Sequence, residues 1–179
     1  MATVAGPLDG QALGIPISVD VRAEGAFPVG DFGDVADPGF GLSAGVAVGI
    51  FPLVGLYGSY SDIRFGGGWT GDDPADARDS GFAAGVSVAI PGWPWLDPWL
   101  GGGLLFHHLQ LDGSGQGISE DLGFEVGGGV AIPIATGMRL SPAINYRHYG
   151  ASIQDRPDIA VQDVTVQHLS LGLGLNIVF

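Results

Sequence analysis

The sequence predicts an all-β fold, an eight-stranded antiparallel up-and-down transmembrane β-barrel. Three observations point there. Large hydrophobes recur at every second position through eight separate segments, which is the period of a strand. The links joining those segments alternate between tight and long. Charged residues make up only 14% of the 179 residues while hydrophobic residues make up 46%, with a mean hydropathy of +0.34. Soluble domains carry about 25% charged residues, so this chain has too few to cover a soluble surface. Every apolar run is interrupted by Gly, Pro or a polar residue well short of the roughly 18 residues a transmembrane helix needs.

The segments follow in order. In residues 15–27, Ile15, Ile17, Val19, Val21, Ala23 and Phe27 alternate with Ser18, Asp20, Arg22 and Glu24. Residues 40–51 set Phe40, Leu42, Ala44, Val46, Val48 and Ile50 against Gly41, Ser43, Gly45, Ala47 and Gly49. Residues 81–90 and 122–132 repeat the pattern, with Phe82, Val86, Val88 and Ile90 in one and Leu122, Phe124, Val126, Val130 and Ile132 in the other. The closing segment, 168–179, places Leu169, Leu171, Leu173, Leu175, Ile177 and Phe179 opposite Ser170, Gly172, Gly174 and Asn176. Three segments alternate less cleanly: 54–65, 98–111 and 138–150. Their oily faces are assigned to Leu56 and Tyr60, to Leu100, Leu104 and Phe106, and to Leu140, Ile144 and Tyr146. The parity of 54–65 also reads one residue out of step.

Tight links (PLV, PGWPWLD, PIATG) follow segments two, four and six, and long polar ones follow one, three, five and seven. In a meander, short and long links therefore gather at opposite ends. The long ones hold Asp31, Asp34, Asp37, Asp72, Asp73, Asp76, Asp79, Asp112, Glu120, Asp121, Asp155, Asp158 and Asp163, thirteen of the nineteen acids.

An eight-stranded sheet of this kind closes into a barrel whose interior side chains just fill it, and parity decides which face is inside. With the hydrophobes inward, the outer wall would be Gly, Ser and Ala, poorly solvated and prone to associate. With the hydrophobes outward they meet lipid, and the small face fits a narrow lumen. Strands of about 9 to 12 residues match a tilted crossing, and closure leaves no backbone edge unpaired in hydrocarbon. Phe27, Phe40, Tyr60, Phe82, Phe106, Phe124 and Tyr146 fall on the oily face near the long-link end. Trp93, Trp95, Trp99, Phe51 and Phe179 gather at the other. Two aromatic belts around an apolar band are what the membrane interfaces select.

The remaining composition excludes function classes. The chain has no Cys, which removes disulfides and thiolate chemistry. Six arginines, no lysine and a net charge of -13 leave no cationic surface for nucleic acid. The 33 glycines, more than twice the usual share of about 7%, follow strand parity and form no triplet repeat. Residues 1–13 read as an N-terminal segment ahead of a barrel domain at 14–179. The opening MATVAGPLDGQALG lacks the basic and apolar regions of a signal peptide, so export implies one already removed.

The eight alternating segments, the PWLGGGLLF and YRHYG stretches and the strand ending in Phe179 resemble the small eight-stranded outer-membrane β-barrels, the group of the OmpA transmembrane domain and OmpX. The resemblance covers residues 14–179. It implies an outer-membrane location, an outer-membrane lipid bilayer as surroundings, a monomer with both termini periplasmic and four acidic loops outside. It also implies that Phe179 belongs to the signal received by the barrel-assembly machinery.

The lumen candidates are Asp20, Arg22 and Glu24, then His107, Glu125, Asn145, Arg147 and His168. They belong to consecutive staves of a closed barrel and should meet in one layer. Either a gate or proton path, or a plug of mutually neutralising charges, fits them, and the need of buried charges for partners favours the plug. His168-Leu-Ser170 is similar to the His-x-Ser pair of outer-membrane lipid A deacylases, but parity puts both residues in the lumen and no Asn or carboxylate follows. His107 and His108 project to opposite faces and cannot share a metal; no metal or cofactor site follows. The run DDPADARD could gather a divalent cation through carboxylate oxygens, though without EF-hand order. The sequence thus points to a non-enzymatic structural or surface-interaction protein with acidic loops and a plugged polar lumen. A narrow channel for small solutes or ions is the alternative, and a lipid-modifying enzyme comes third.

Overall fold

The computed structural model describes residues 15–34, 36–66, 77–93, 95–111, 119–120, 122–153 and 162–179. The strands are β1 (Ile17–Pro28), β2 (Gly39–Phe51), β3 (Val54–Phe65), β4 (Ala77–Ala89), β5 (Asp97–Leu111), β6 (Ser119–Glu120), β7 (Leu122–Ala135), β8 (Met138–Ile153) and β9 (Gln162–Val178). Sequential neighbours pair antiparallel, and β6 is a two-residue piece that continues the β7 edge along β8. Pairing of β9 with both β8 and β1 closes the sheet into an eight-stave barrel. Eleven register pairs, from Ser18↔Val178 to Pro28↔His168, form the β1–β9 seam. No stave is left with an open edge, the requirement for backbone in hydrocarbon.

Tight turns join β2 to β3 through Pro52 and Leu53 and β7 to β8 through Thr136 and Gly137. Gly137 has φ of 72°, a left-handed conformation that costs glycine nothing. One long link carries a single-turn 3₁₀ helix, Gly30–Asp34.

Side-chain direction follows the sequence parity. Val21, Leu42, Val46, Leu56, Phe82, Val86, Leu104, Val126, Ile144 and Leu171 all point outward and are exposed. A continuous apolar wall of this size suits hydrocarbon, and a water-soluble monomer rarely shows one. Of the aromatic ring expected at the long-link end, Phe27, Phe40, Tyr60, Phe82, Phe106 and Phe124 are exposed and Tyr146 is half-buried. At the other end Phe51, Trp93, Trp95 and Phe179 are exposed, and Phe179 N donates to Ile17 O.

Four sequence expectations are corrected. Strands run further toward the long links than parity suggested: β4 begins at Ala77, β8 reaches Ile153 and β9 begins at Gln162. Asp79, expected in an acidic loop, therefore stands on β4 facing inward, fully buried. Trp99 turns into the lumen instead of joining the outer belt, because it shares the inward parity of Gly101 and Leu105 on β5. Not every strand glycine is lumenal: Gly25, Gly58, Gly102 and Gly128 take outward positions, and the Leu100 side chain lies close over Gly128. The segment 1–13, and the loop acids Asp72, Asp73, Asp76, Asp112, Asp121, Asp155 and Asp158, lie outside the described residues.

Candidate functional site

The lumen holds the polar side chains, and the pairing registers set which of them meet. Glu125 on β7 stands directly opposite Arg147 on β8. Arg147 Nε lies 3.2 Å from Glu125 Oε2, and its Nη1 lies 3.2 Å from Glu24 Oε2 on β1. The β9 stave lies between β8 and β1, and its inward residue at that level is Gly172. A Cβ there would overlap the Arg22 side chain and come within 3.2 Å of Glu24 Cγ. Gly172 thus leaves room for the Arg22 and Glu24 side chains, and the next inward residue of β9 toward Arg147 is the small Ser170. Ser43 Oγ donates to Glu24 Oε1 at 2.5 Å, and Tyr57 OH donates to Glu125 Oε1 at 2.7 Å. Each carboxylate thus has an arginine and a hydroxyl beside it, the partners that buried charge demands, although Glu24 Oε2 and Arg147 Nη1 face each other as an ion pair without a hydrogen bond. Asn145, also buried, projects over Gly127 on β7.

Nearer the short turns, Asp20 and Arg22 share the inward face of β1 and pair at 3.0 Å. Arg139 Nη1 lies 3.5 Å from Asp97 Oδ2. These groups border a cavity of about 290 Å³ that runs from the Glu24, Glu125 and Arg147 layer past Asp20, Arg22, Tyr57 and Trp99 to Asp97 and Arg139.

Toward the long links a second network forms around Asp79. His107 Nδ1 lies 2.8 Å from Asp79 Oδ1, and Ser61 Oγ lies 3.4 Å from His107 Nε2. His168 is fully buried, its Nδ1 4.0 Å from Asp79 Oδ2. Apolar side chains enclose this network: Phe32, Ile63, Phe65, Leu105, Leu109 and Val166 are all buried in one cluster with Tyr149. Phe32 enters from the 3₁₀ helix of the first long link and meets Phe65 edge-on at 5.3 Å. The polar lumen is thus capped by a hydrophobic plug.

The sequence-expected residues divide among these groups. Glu24, Glu125 and Arg147 meet directly, while Asp20 with Arg22, and His107 with His168, lie in separate clusters; one common layer was expected, and the staggered registers make three. Ser43, Tyr57, Ser61, Asp79 and Tyr149 were missed. Parity signalled the serines and Tyr57, since all three occupy inward positions of β2 and β3. The chain Ser61, His107, Asp79 has the order of a nucleophilic triad, yet Ser61 is only 3% exposed and borders no part of the cavity. Among the described residues no group of three or more His, Cys, Asp or Glu side chains is placed to hold a metal ion.

Solved structures of small outer-membrane barrels match this architecture. Neisserial surface protein A superposes with a TM-score of 0.70 at 16% identity, over 90% of this chain and 96% of that one. OprG from Pseudomonas aeruginosa gives 0.64 at 14% identity, over 92% and 95%. The N-terminal β-barrel domain of Pseudomonas aeruginosa OprF gives 0.53 at 16%, over 90% and 97%. No protein-family model and no curated protein matches the sequence. At such identities the likeness is one of fold, and function has to be argued from the lumen and the outer surface.

Proposed function

We propose that the protein is a monomeric, non-enzymatic outer-membrane barrel with a structural or surface-interaction role, received by the barrel-assembly machinery and closed to solute flow. One observation carries this reading: Phe32, Phe65, Leu105 and Leu109 fill the long-link half of the lumen above the Arg147 charge layer. Water and ions entering the 290 Å³ cavity from the short-turn end meet that plug. The Ser61, His107 and Asp79 chain lies behind the same apolar cluster, out of reach of substrate, and acts as a buried polar lock. Asp31, Asp34 and Asp37 of the first long link are exposed, and they belong to the outer contact surface, with diffuse divalent cations as counter-ions.

The same cavity favours a second reading, a narrow channel, because half of the path is already open. Recording from the purified protein in planar bilayers separates the two. The closed-barrel reading expects no steady conductance from the wild type, whereas stable open steps in the unmodified protein establish the channel. Expression followed by mass analysis of membrane lipids tests the enzymatic reading, for which an unchanged lipid profile is expected.

A further inference from the structure

The arginines of the described residues divide by face. Arg22, Arg139 and Arg147 border the lumen cavity, while Arg64 and Arg78 point outward, and both stand at the long-link end. They are direct cross-strand partners, Arg64 on β3 opposite Arg78 on β4. Following the same outward face down the ladder gives Asp62 opposite Ser80, then Tyr60 opposite Phe82. Tyr60 and Phe82 have ring centroids 5.1 Å apart and belong to the aromatic belt.

Four residues of strand separate the aromatic pair from the arginine pair. At about 3.3 Å per residue and a tilt near 45°, that is about 13 Å along the strand and about 9 Å along the barrel axis. Aromatic belts mark the headgroup boundary, so the arginines stand at the level of headgroup phosphates, facing the lipids instead of the lumen.

Two like charges directly opposite on a sheet repel, and the pair requires anions. Asp62 supplies one: it is clasped by Arg78 through both Nε and Nη2. Arg64 is exposed and has no hydrogen bond or ion pair with any described residue. Asp62 therefore orients Arg78 and shares its charge with Arg64 only at a distance, which leaves one net positive charge on the pair and the Arg64 guanidinium free of any close carboxylate among the described residues. Guanidinium groups are weakly hydrated forks that match phosphate oxygens bidentately.

We infer that Arg64 and Arg78 form a binding site on the barrel's outer wall for the phosphate of an outer-leaflet lipid headgroup. The inference rests on the membrane reading above, which supplies the headgroups. Asp62 holds Arg78 in place, Arg64 provides the open charge, and the Tyr60 and Phe82 rings pack against the top of the acyl region of the same lipid.

The test uses the full chain folded into phosphatidylcholine vesicles that contain either bisphosphorylated lipid A or lipid A stripped of its phosphates. Lipid retained after mild detergent extraction is counted by native mass spectrometry. The wild type should retain the phosphorylated form preferentially. Arg64→Gln and Arg78→Gln should each weaken retention about fivefold, and the double variant about thirtyfold. Arg64→Lys should restore part of the loss. Insertion, read as a shift in gel mobility on heating, should be the same for all variants, which separates failure of this site from failure of the membrane reading. Inorganic phosphate added at the same concentration should not displace the lipid; equal displacement would assign the pair to free phosphate and overturn the inference. Equal retention by wild type and double variant, or of both forms of lipid A, would overturn it too, leaving the arginines to the chain's own carboxylates.

Discussion

Arg147 on β8 and Glu24 on β1 meet at 3.2 Å although a whole stave, β9, separates their strands. Glu125 holds the same guanidinium from the adjacent strand, also at 3.2 Å. One cation thus joins β1, β7 and β8 through the interior. Removing it as Arg147→Ala leaves two buried carboxylates facing each other, and breaking such a pair costs about 3–5 kcal/mol. The cavity below admits water to this layer, so the loss should fall at the low end of that range. Adding Glu125→Ala should recover part of the stability because one orphaned charge leaves with it. Urea titration of the two variants in lipid vesicles checks this; equal midpoints would mean that these side chains do not meet.

Gly172 should be as constrained as the charges it accommodates. Gly172→Ala places a methyl group on the Arg22 side chain, which has to leave its position near Asp20. Overpacking of this kind costs about 1–3 kcal/mol. Arg22→Ala in the same molecule should remove most of the clash, so the two changes should be strongly non-additive. Additive losses in the same titration would place Arg22 elsewhere.

Phe32 ties a long link to the barrel interior. Phe32→Ala should empty part of the plug and cost about 3–5 kcal/mol, as for other buried aromatics. The variant should also pass current in planar bilayers where the wild type does not. A destabilised variant that stays silent would mean that the charge layer alone seals the lumen.

The outward face predicts its own asymmetry. Val86 points outward on β4, four residues from the belt residue Phe82 toward the short-turn end, between Leu56 and Gly102 on the neighbouring strands. Val86→Arg should destabilise the folded barrel by about 2–4 kcal/mol, whereas Asp34→Arg, in the exposed first long link, should be nearly neutral. Refolding of the two variants into the same vesicles compares them directly.

Much of this was legible in the sequence because a closed barrel has a two-residue period and two unlike solvents. Val46 beside Gly45, or Leu171 beside Ser170, already states which way each side chain points. Glu125 and Arg147 could be matched because their strands are neighbours in sequence and in space. The plug was hidden for the opposite reason. In LLFHHLQL both parities are apolar, so Leu105 and Leu109 looked no different from the outward Leu104. Phe32 lies in a polar link with no period at all, and nothing local says that it turns inward. Asp79 was lost in the acidic run DDPADARD, where the alternation of Ala77, Asp79, Gly81 and Ala83 is easily taken for loop. The Asp79, His107 and Ser61 contacts join β4, β5 and β3 at positions fixed by register, which composition does not encode.

The central claim is that the hydrophobic face of every stave looks outward into lipid and the small face into a sealed lumen. Spin labels placed one at a time along β2, from Leu42 to Ile50, test it most directly. Accessibility to oxygen, which partitions into hydrocarbon, should peak at 42, 44, 46, 48 and 50, and the intervening positions should be shielded from it. A flat profile with uniform access to a water-soluble relaxation agent would contradict the account.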